Sequence, residues 1–186
     1  MDVTLQAKTS ISEYQLQLNQ SSANKTRVTQ MCRNNDENWT PPPKDTLKLN
    51  VDAHFLSDGH WGLGWILRTE LGSCVGAATR VVRGITTATE AEAQGLWEAI
   101  DWLDQASDPA VIIETDNQEV VNTIHNRRYP RSYWGGCAQR IGERLEATPR
   151  LSLRWIRRTG NQVACQLDRW AAIEPNRSWA EFVPHK

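Results

Sequence analysis

Asp52 is the first residue in the chain whose position points to chemistry. It lies in the middle of the segment Thr46–Phe55, where apolar and polar side chains alternate and so predict a β-strand with one buried face. β-Strands disfavour Asp, and burying an unpaired carboxylate costs several kcal/mol. Solvent, a cation or a metal must therefore accept its charge, and further acidic residues decide among these possibilities.

Glu92 belongs to a predicted helix over 89–106. Apolar residues recur there at three- and four-residue spacing, and Glu92 falls on the edge of this buried stripe, not on the outer face that carries Glu98 and Asp101. A carboxylate at that position is expected to face the sheet. A solvated side chain is the alternative for Glu92, as it is for each of the acids taken alone.

Asp116 lies between a predicted strand and a predicted helix. The apolar run Ala110–Ile113 predicts a strand covered on both faces, and apolar residues at helical spacing predict a helix over 117–126. Asp116 therefore comes at the carboxyl end of a strand, where open α/β sheets bind their ligands. Capping of the following helix is the alternative role for this carboxylate.

The remaining segments predict further strands and helices around these acids. Turn-rich strings separate segments 61–68 and 74–82, which predicts two strands that continue the first one in antiparallel order. Further helices are predicted before Pro149 and over 161–172, with a last strand over 151–156 between them. Three of the nine tryptophans are expected in the core: Trp97, Trp155 and Trp170.

Length and composition suit one globular domain with flexible ends. The chain has 186 residues, of which 39% are hydrophobic. Residues 1–40 are polar and predict a flexible N-terminal tail, followed by the domain over 41–175 and a C-terminal tail over 176–186. A net charge of -1 leaves any nucleic-acid binding to a local basic patch. The four cysteines are far apart in the sequence, and we find neither a secretory signal nor an apolar run long enough to span a membrane. A soluble intracellular protein is therefore expected, while its compartment and oligomeric state stay open.

Several short motifs follow one another in the order found in one protein family. The segment Thr115–Val120 looks like the Thr-Asp-Ser-Gln-x-Val segment of type 1 ribonuclease H, and together with Asp52 and Glu92 it makes the chain resemble that family. A narrower likeness is to the ribonuclease H-like domains common in plants, which are related to the C-terminal domain of non-LTR retrotransposon reverse transcriptases. The motifs that carry it are Trp39–Pro43, Leu47–Asp52, Gly62–Arg68, Ala91–Ala93, Arg157–Arg158 and Asn161–Ala164.

The resemblance implies a fold, a cofactor and an activity. The fold is the α/β ribonuclease H-like fold, with a five-stranded mixed sheet of three antiparallel and then two parallel strands, flanked by helices. Asp52, Glu92 and Asp116 are then the catalytic residues and the ligands of Mg²⁺ (or Mn²⁺). The implied activity is endonucleolytic cleavage of the RNA strand of an RNA/DNA hybrid, in which two cations roughly 4 Å apart activate water and stabilise the leaving oxygen.

Basic residues supply the candidate contacts with nucleic acid. Arg127 and Arg128 are interleaved with aromatic residues that can stack on sugars or bases, and the arginines can contact phosphates. Arg157 and Arg158 are expected to do the same at the rim of the site, and the resemblance adds Asn117, next to the third acid. A solvated basic loop is the alternative for these residues.

The chain departs from the family at the fourth acidic position. The family's enzymes have an acid four residues after the Asn that corresponds to Asn161, whereas this chain has Cys165, and a neutral thiol is a poor Mg²⁺ ligand. Asp168 is expected to replace it only if the helix moves. The loop over 157–160 also lacks the His of many active members. Two alternatives stay open: an inactive ribonuclease H-like protein that binds nucleic acid or a protein partner, and a retroelement fragment without a selected role.

Overall fold

The computed structural model describes residues 39–103 and 109–180. The predicted N-terminal tail over 1–40 therefore lies almost wholly outside the described residues, as do the last residues of the first predicted helix and the end of the C-terminal tail. Within the described ranges, no helix combines the length and the apolar character needed to cross a membrane.

Strands and helices follow one another in an order that puts the antiparallel strands first. In chain order they are β1 Thr46–Ser57, β2 His60–Arg68, β3 Cys74–Arg83, α1 Ala88–Leu103, β4 Ala110–Thr115, α2 Gln118–Asn126, α3 Tyr133–Ala147, β5 Leu151–Trp155, a 3-10 turn Arg158–Gly160, α4 Gln162–Trp170 and β6 Ser178–Ala180.

The strands form one mixed sheet in the order β5-β4-β1-β2-β3-β6. β1, β2 and β3 pair antiparallel, whereas β4 pairs parallel with β1 and β5 parallel with β4. The prediction of five strands was therefore one strand short, because β6 pairs antiparallel with Gly76–Ala78 of β3. Three residues are too few to show alternation, and they lie in the segment 176–186 expected to be a tail. The predicted domain limits, 41–175, stay a prediction.

β1 extends beyond the end of its parallel neighbour β4, and this leaves a gap in which acidic side chains can meet. The pairing of β1 with β4 ends at Val51 opposite Thr115, while β1 continues to Ser57. Asp52 is thus the first residue of β1 without a β4 partner. A gap opens beside it at the carboxyl end of β4, which is the usual ligand-binding edge of an open α/β sheet.

Helices cover the two faces of the sheet. A methyl group added at Gly95 of α1 would lie 3.6 Å from Val51 and Leu63, so α1 packs directly on β1 and β2 at the centre of the hydrophobic core. α4 packs on the other face, against Gly62 and Gly64 of β2. These two glycines leave no room for a Cβ atom, and the backbone of α4 therefore lies almost in contact with the sheet.

We expect Gly64→Ala to destabilise the domain by about 2–4 kcal/mol, because the added methyl group would meet the backbone of Leu167 and Asp168. Gly136→Ala is the matched control, since the exposed Gly136 lies in α3 with open space around its Cβ position. That change should leave stability equal or higher by about 1 kcal/mol. Urea unfolding of both variants measures the difference, and two equal midpoints would contradict the close packing of α4.

Candidate metal centre and nucleic-acid interface

Asp52, Glu92 and Asp116 converge in the gap beside β1. Each offers a carboxylate oxygen, and the three atoms lie within 4.8 Å of one another. Asp52 comes from the middle of β1, Glu92 from the second turn of α1 and Asp116 from the residue after β4. Asp52 and Glu92 are buried and Asp116 is half-buried. The structure thus brings together the three predicted acids, whose catalytic and metal-binding roles stay a prediction.

Hydrogen bonds from neighbouring residues position this cluster. The backbone N–H of Ala53 donates to Oδ1 of Asp52 at 2.9 Å, and Thr115 Oγ1 donates to Oε2 of Glu92 at 3.4 Å. Nδ2 of Asn161, at the start of α4, donates to the carbonyl oxygen of Val51 at 2.8 Å. Asn161 was absent from the predicted site residues, although it belongs to a motif that carries the resemblance. It fixes the beginning of α4 beside Asp52.

The pKa values of Glu92 and Asp116 are raised because both carboxyl groups are buried near other acids. Burial raises the pKa of Glu92 well above its ordinary value, and the charges of Asp52 and Asp116 raise it further. Burial, followed by the charge of Asp52, raises the pKa of Asp116 to about 6, although the nearby Arg158 partly opposes this effect. A cation between these carboxylates would stabilise their ionised forms.

The donor set fits a hard divalent cation. Oδ2 of Asp52 is buried without a hydrogen-bond partner, and an orphaned buried carboxylate oxygen is costly unless a proton or a cation reaches it. Three carboxylates with exposed surface at Asp116 match the preference of Mg²⁺ for a few hard oxygen ligands plus its own waters. Asp52, Glu92 and Asp116 are therefore the residues that could hold Mg²⁺ or Mn²⁺.

The alternative role of Asp116, capping of the following helix, is wrong. Asn117, the next residue, is the N-cap of α2, and its side chain accepts a hydrogen bond from the backbone N–H of Val120 at 3.0 Å. The carboxylate of Asp116 is consequently left to face Asp52 and Arg158. Asn117 was predicted to contact nucleic acid, and its capping bond gives it a structural function as well.

The four predicted arginine contacts are not equivalent. Nη1 of Arg158 lies 3.9 Å from Oδ2 of Asp116, at the mouth of the acidic cluster. Arg127 forms an exposed ion pair with Glu146 at 2.8 Å, at the far end of α2, and Arg128 and Arg157 are also exposed. Arg158 is thus the arginine that the fold brings to the acids, and contact of all four with nucleic acid stays a prediction.

Trp155 was expected in the core, and this prediction was wrong. Its side chain is 41% exposed, and its indole N–H donates to the backbone oxygen of Asp116 at 3.1 Å. Trp155 is the last residue of β5, beside the carboxyl end of β4, and alternation with Leu151 and Leu153 would place it on the covered face. The end of the sheet exposes an aromatic surface next to the acids, suitable for stacking on sugars or bases.

A second group of possible ligands shares Asp52. One ligand atom each from Asp52, Cys165 and Asp168 lie within 4.8 Å of one another, and all three residues are buried. The prediction that Asp168 could reach the site only after a helix movement was therefore wrong. Because α4 lies so close to β2, Asp168, which comes three residues after Cys165 in the helix, already faces Asp52.

The sequence over 50–171 matches the model of the reverse transcriptase-like family, which spans all of the acids described above. The chain belongs to the reverse transcriptase-like family. Among curated proteins, no sequence matches the chain significantly.

Solved structures identify the fold of this reverse transcriptase-like domain. Ribonuclease H1 from the halophilic archaeon Halobacterium salinarum aligns with a TM-score of 0.59 at 16% identity, over 69% of this chain and 98% of that one. LC11 ribonuclease H1, isolated from compost by a metagenomic approach, aligns with a TM-score of 0.62 at 20% identity, over 70% and 97%. The same LC11 enzyme bound to an RNA/DNA hybrid gives 0.57 at 20%, over 65% and 92%. The expected α/β ribonuclease H-like fold is confirmed.

Proposed function

We propose that this reverse transcriptase-like domain binds RNA/DNA hybrids and cleaves the RNA strand endonucleolytically, with Mg²⁺ or Mn²⁺ as cofactor. The convergence of Asp52, Glu92 and Asp116 within 4.8 Å carries the proposal, because these acids come from three separate elements and have no local structural reason to meet. The hybrid-bound LC11 structure supports the choice of substrate class.

Each part of the site has a task in this proposal. A bound divalent cation would activate water and stabilise the charge that develops on the leaving oxygen. Asp52, Glu92 and Asp116 hold it, and Thr115 and Asn161 keep two of the supporting elements in place. Arg158, whose side chain is 66% exposed, attracts the phosphate backbone to the mouth of the acidic cluster.

Recognition of the hybrid would use the surface beside the acids. Trp155 offers an exposed ring, and Arg157 and Arg158 follow it at the carboxyl end of β5. The 2′-hydroxyls of the RNA strand, displayed across a wide and shallow minor groove, distinguish it from DNA. Arg127 and Arg128, exposed at the far end of α2, would add contacts with the phosphate backbone farther from the acids.

The motifs over 39–164 support a narrower origin as part of the same proposal. Their order is similar to that of plant ribonuclease H-like domains and of the C-terminal domain of retrotransposon reverse transcriptases. A domain of this origin would have retained Asp52, Glu92 and Asp116 and replaced the fourth acid of the family by Cys165. Cys165 at that position is the observation that favours the second candidate function, a catalytically inactive domain that binds nucleic acid or protein.

A cleavage assay with an internal control tests the proposal. The full chain is incubated with an end-labelled RNA/DNA hybrid, single-stranded RNA or duplex DNA, in Mg²⁺, Mn²⁺ or EDTA. We expect internal cuts in the RNA strand of the hybrid alone, only with metal, and a rate lower by about 100-fold or more for Asp116→Asn.

The outcomes separate the two candidate functions. Equal cutting by the wild-type protein and Asp116→Asn would identify a contaminating nuclease and remove the support for the enzyme. Hybrid binding by both proteins without any cutting would establish the inactive binding domain. Far-ultraviolet circular dichroism of both proteins shows that the comparison is made between folded chains.

A further inference from the structure

Asp168 of α4 is a fully buried carboxylate. Its relative exposure is 0%, and neither carboxylate oxygen has a hydrogen-bond partner. The backbone around it is held by close packing of α4 on Gly62 and Gly64, so the side chain cannot swing into solvent without moving the helix. Burying such a group alone costs several kcal/mol, and a cation within reach of both oxygens would offset that cost.

The neighbours of Asp168 make this position different from the first acidic cluster. Asp52 Oδ2 also lacks a hydrogen-bond partner, and a sulfur ligand, Cys165 Sγ, completes the trio within 4.8 Å. Nη2 of Arg158 donates to Cys165 Sγ at 3.7 Å, and the Arg158 side chain is 66% exposed. The trio therefore combines one thiol with three buried carboxylate oxygens that have no hydrogen-bond partner, Oδ2 of Asp52 and both oxygens of Asp168.

We propose that Asp52, Cys165 and Asp168 form a second divalent-cation site, in which Asp168 replaces the missing fourth acid and Cys165 shifts the preference from Mg²⁺ towards Co²⁺ and Zn²⁺. This inference deepens the proposed function, because Asp52 then serves both cations. Thiolate sulfur binds borderline and soft cations far better than it binds Mg²⁺. On binding, the cation displaces the proton of the Cys165 thiol and any proton on Asp168, and both protons go to solvent.

Cobalt is the probe because its spectrum reports the ligands. Titration of the full chain with Co²⁺ is expected to produce a thiolate-to-cobalt charge-transfer band in the near ultraviolet. Cys165→Ser should abolish the band, whereas Cys137→Ser should retain it, since Cys137 is a buried cysteine whose Sγ donates instead to the backbone oxygen of Ala93. Calorimetry with Co²⁺ should resolve two sites in the wild-type protein.

Two carboxylate variants separate the second site from the first. Asp168→Asn keeps the shape of the side chain and should weaken the Co²⁺ site that gives the band by at least about tenfold. Glu92→Gln removes a ligand of the other cluster only, so the band should persist. Cys165→Asp should lose the band and bind Mg²⁺ about tenfold more tightly than the wild-type protein does.

Each outcome bears on one proposal at a time. A wild-type protein without a thiolate band, or an Asp168→Asn variant with unchanged Co²⁺ affinity at that site, would overturn the second site while leaving hybrid cleavage untouched. A protein that shows the band and its loss in Cys165→Ser, yet cuts no hybrid, would refute the nuclease and retain the metal site. Thermal unfolding without metal confirms that each variant is folded.

Discussion

We expect Asp52→Asn to reduce cleavage of the RNA strand by about 1,000-fold or more, which corresponds to roughly 4 kcal/mol of transition-state stabilisation. Asp52 is the member common to both groups of possible metal ligands, so its loss affects Asp116 and Glu92 on one side and Asp168 on the other. Oδ2 is the oxygen without a partner, and Asn replaces an anionic ligand with a neutral amide. The measurement is the initial rate on a labelled hybrid in saturating Mn²⁺.

Asp101→Asn provides the matched control for this loss. The same substitution at Asp101, an exposed residue of α1, changes the net charge equally and should leave the rate within about twofold. Asp52→Asn should not unfold the metal-free protein, because it removes repulsion among buried acids. Cutting at the wild-type rate by Asp52→Asn would rule out Asp52 as the shared ligand.

The three-acid cluster could be predicted because its signals are local. Alternation identified β1, helical spacing placed Glu92 at the edge of the buried stripe of α1, and the strand-to-helix boundary placed Asp116. Glu92 is 8% exposed, and the charges of Asp52 and Asp116 contribute to its raised pKa, in agreement with that placement. Periodicity predicts which face a side chain occupies and the carboxyl-edge rule places Asp116, while the resemblance to type 1 ribonuclease H grouped the three acids into one metal site.

The prediction for Asp168 was wrong because its position depends on packing between distant segments. Helical geometry alone puts Asp168 almost one turn beyond Cys165, and it does not say how near the sheet that turn lies. The distance was set by Gly62 and Gly64, more than a hundred residues earlier, which let α4 approach β2 closely. The presence of β6 and the exposure of Trp155 were not predicted for a related reason, since both depend on where the sheet ends.

The polar face of β1 also differs from what alternation alone suggests. Alternation along β1 predicts one buried face and places Lys48 and Asn50 on the opposite, polar face, yet both are buried. Asn50 Nδ2 donates to Glu114 Oε2 at 3.0 Å, and Asn50 Oδ1 accepts from Arg68 at 2.6 Å and from the Trp39 indole at 3.0 Å. These partners come from three separate segments, so no local pattern could reveal that the face is covered.

The charges in this buried network are expected to contribute strongly to the stability of the domain. Lys48 Nζ and Glu114 Oε1 form an ion pair at 2.7 Å, and their side chains are only 5% and 6% exposed. Lys48 also donates to the Thr40 carbonyl oxygen at 2.7 Å, while the Arg68 guanidinium lies 3.9 Å from the centre of the Trp39 ring. Glu114 therefore pairs directly with Lys48, and its charge also acts on the buried Arg68.

Removal of that charge by Glu114→Gln should lower the free energy of unfolding by about 3–5 kcal/mol, because Lys48 is left buried without a counterion. Burial already lowers the pKa of Arg68 to about 10, with Cys74 and Glu114 opposing the shift, so loss of Glu114 also penalises the second cation. Urea unfolding followed by circular dichroism measures the change. The double variant Lys48→Met with Glu114→Gln should recover most of the loss, since it removes the unpaired ammonium group as well.

Glu146→Gln is the matched control, because it breaks an ion pair of nearly the same length in a different environment. The Arg127–Glu146 pair measures 2.8 Å, but its side chains are 69% and 54% exposed. Water and salt screen such a pair, so its loss should cost less than about 1 kcal/mol. Equal losses for Glu114→Gln and Glu146→Gln would mean that water reaches Lys48 in solution, and the buried network would then not be what fixes β1 and β4 beside the acids.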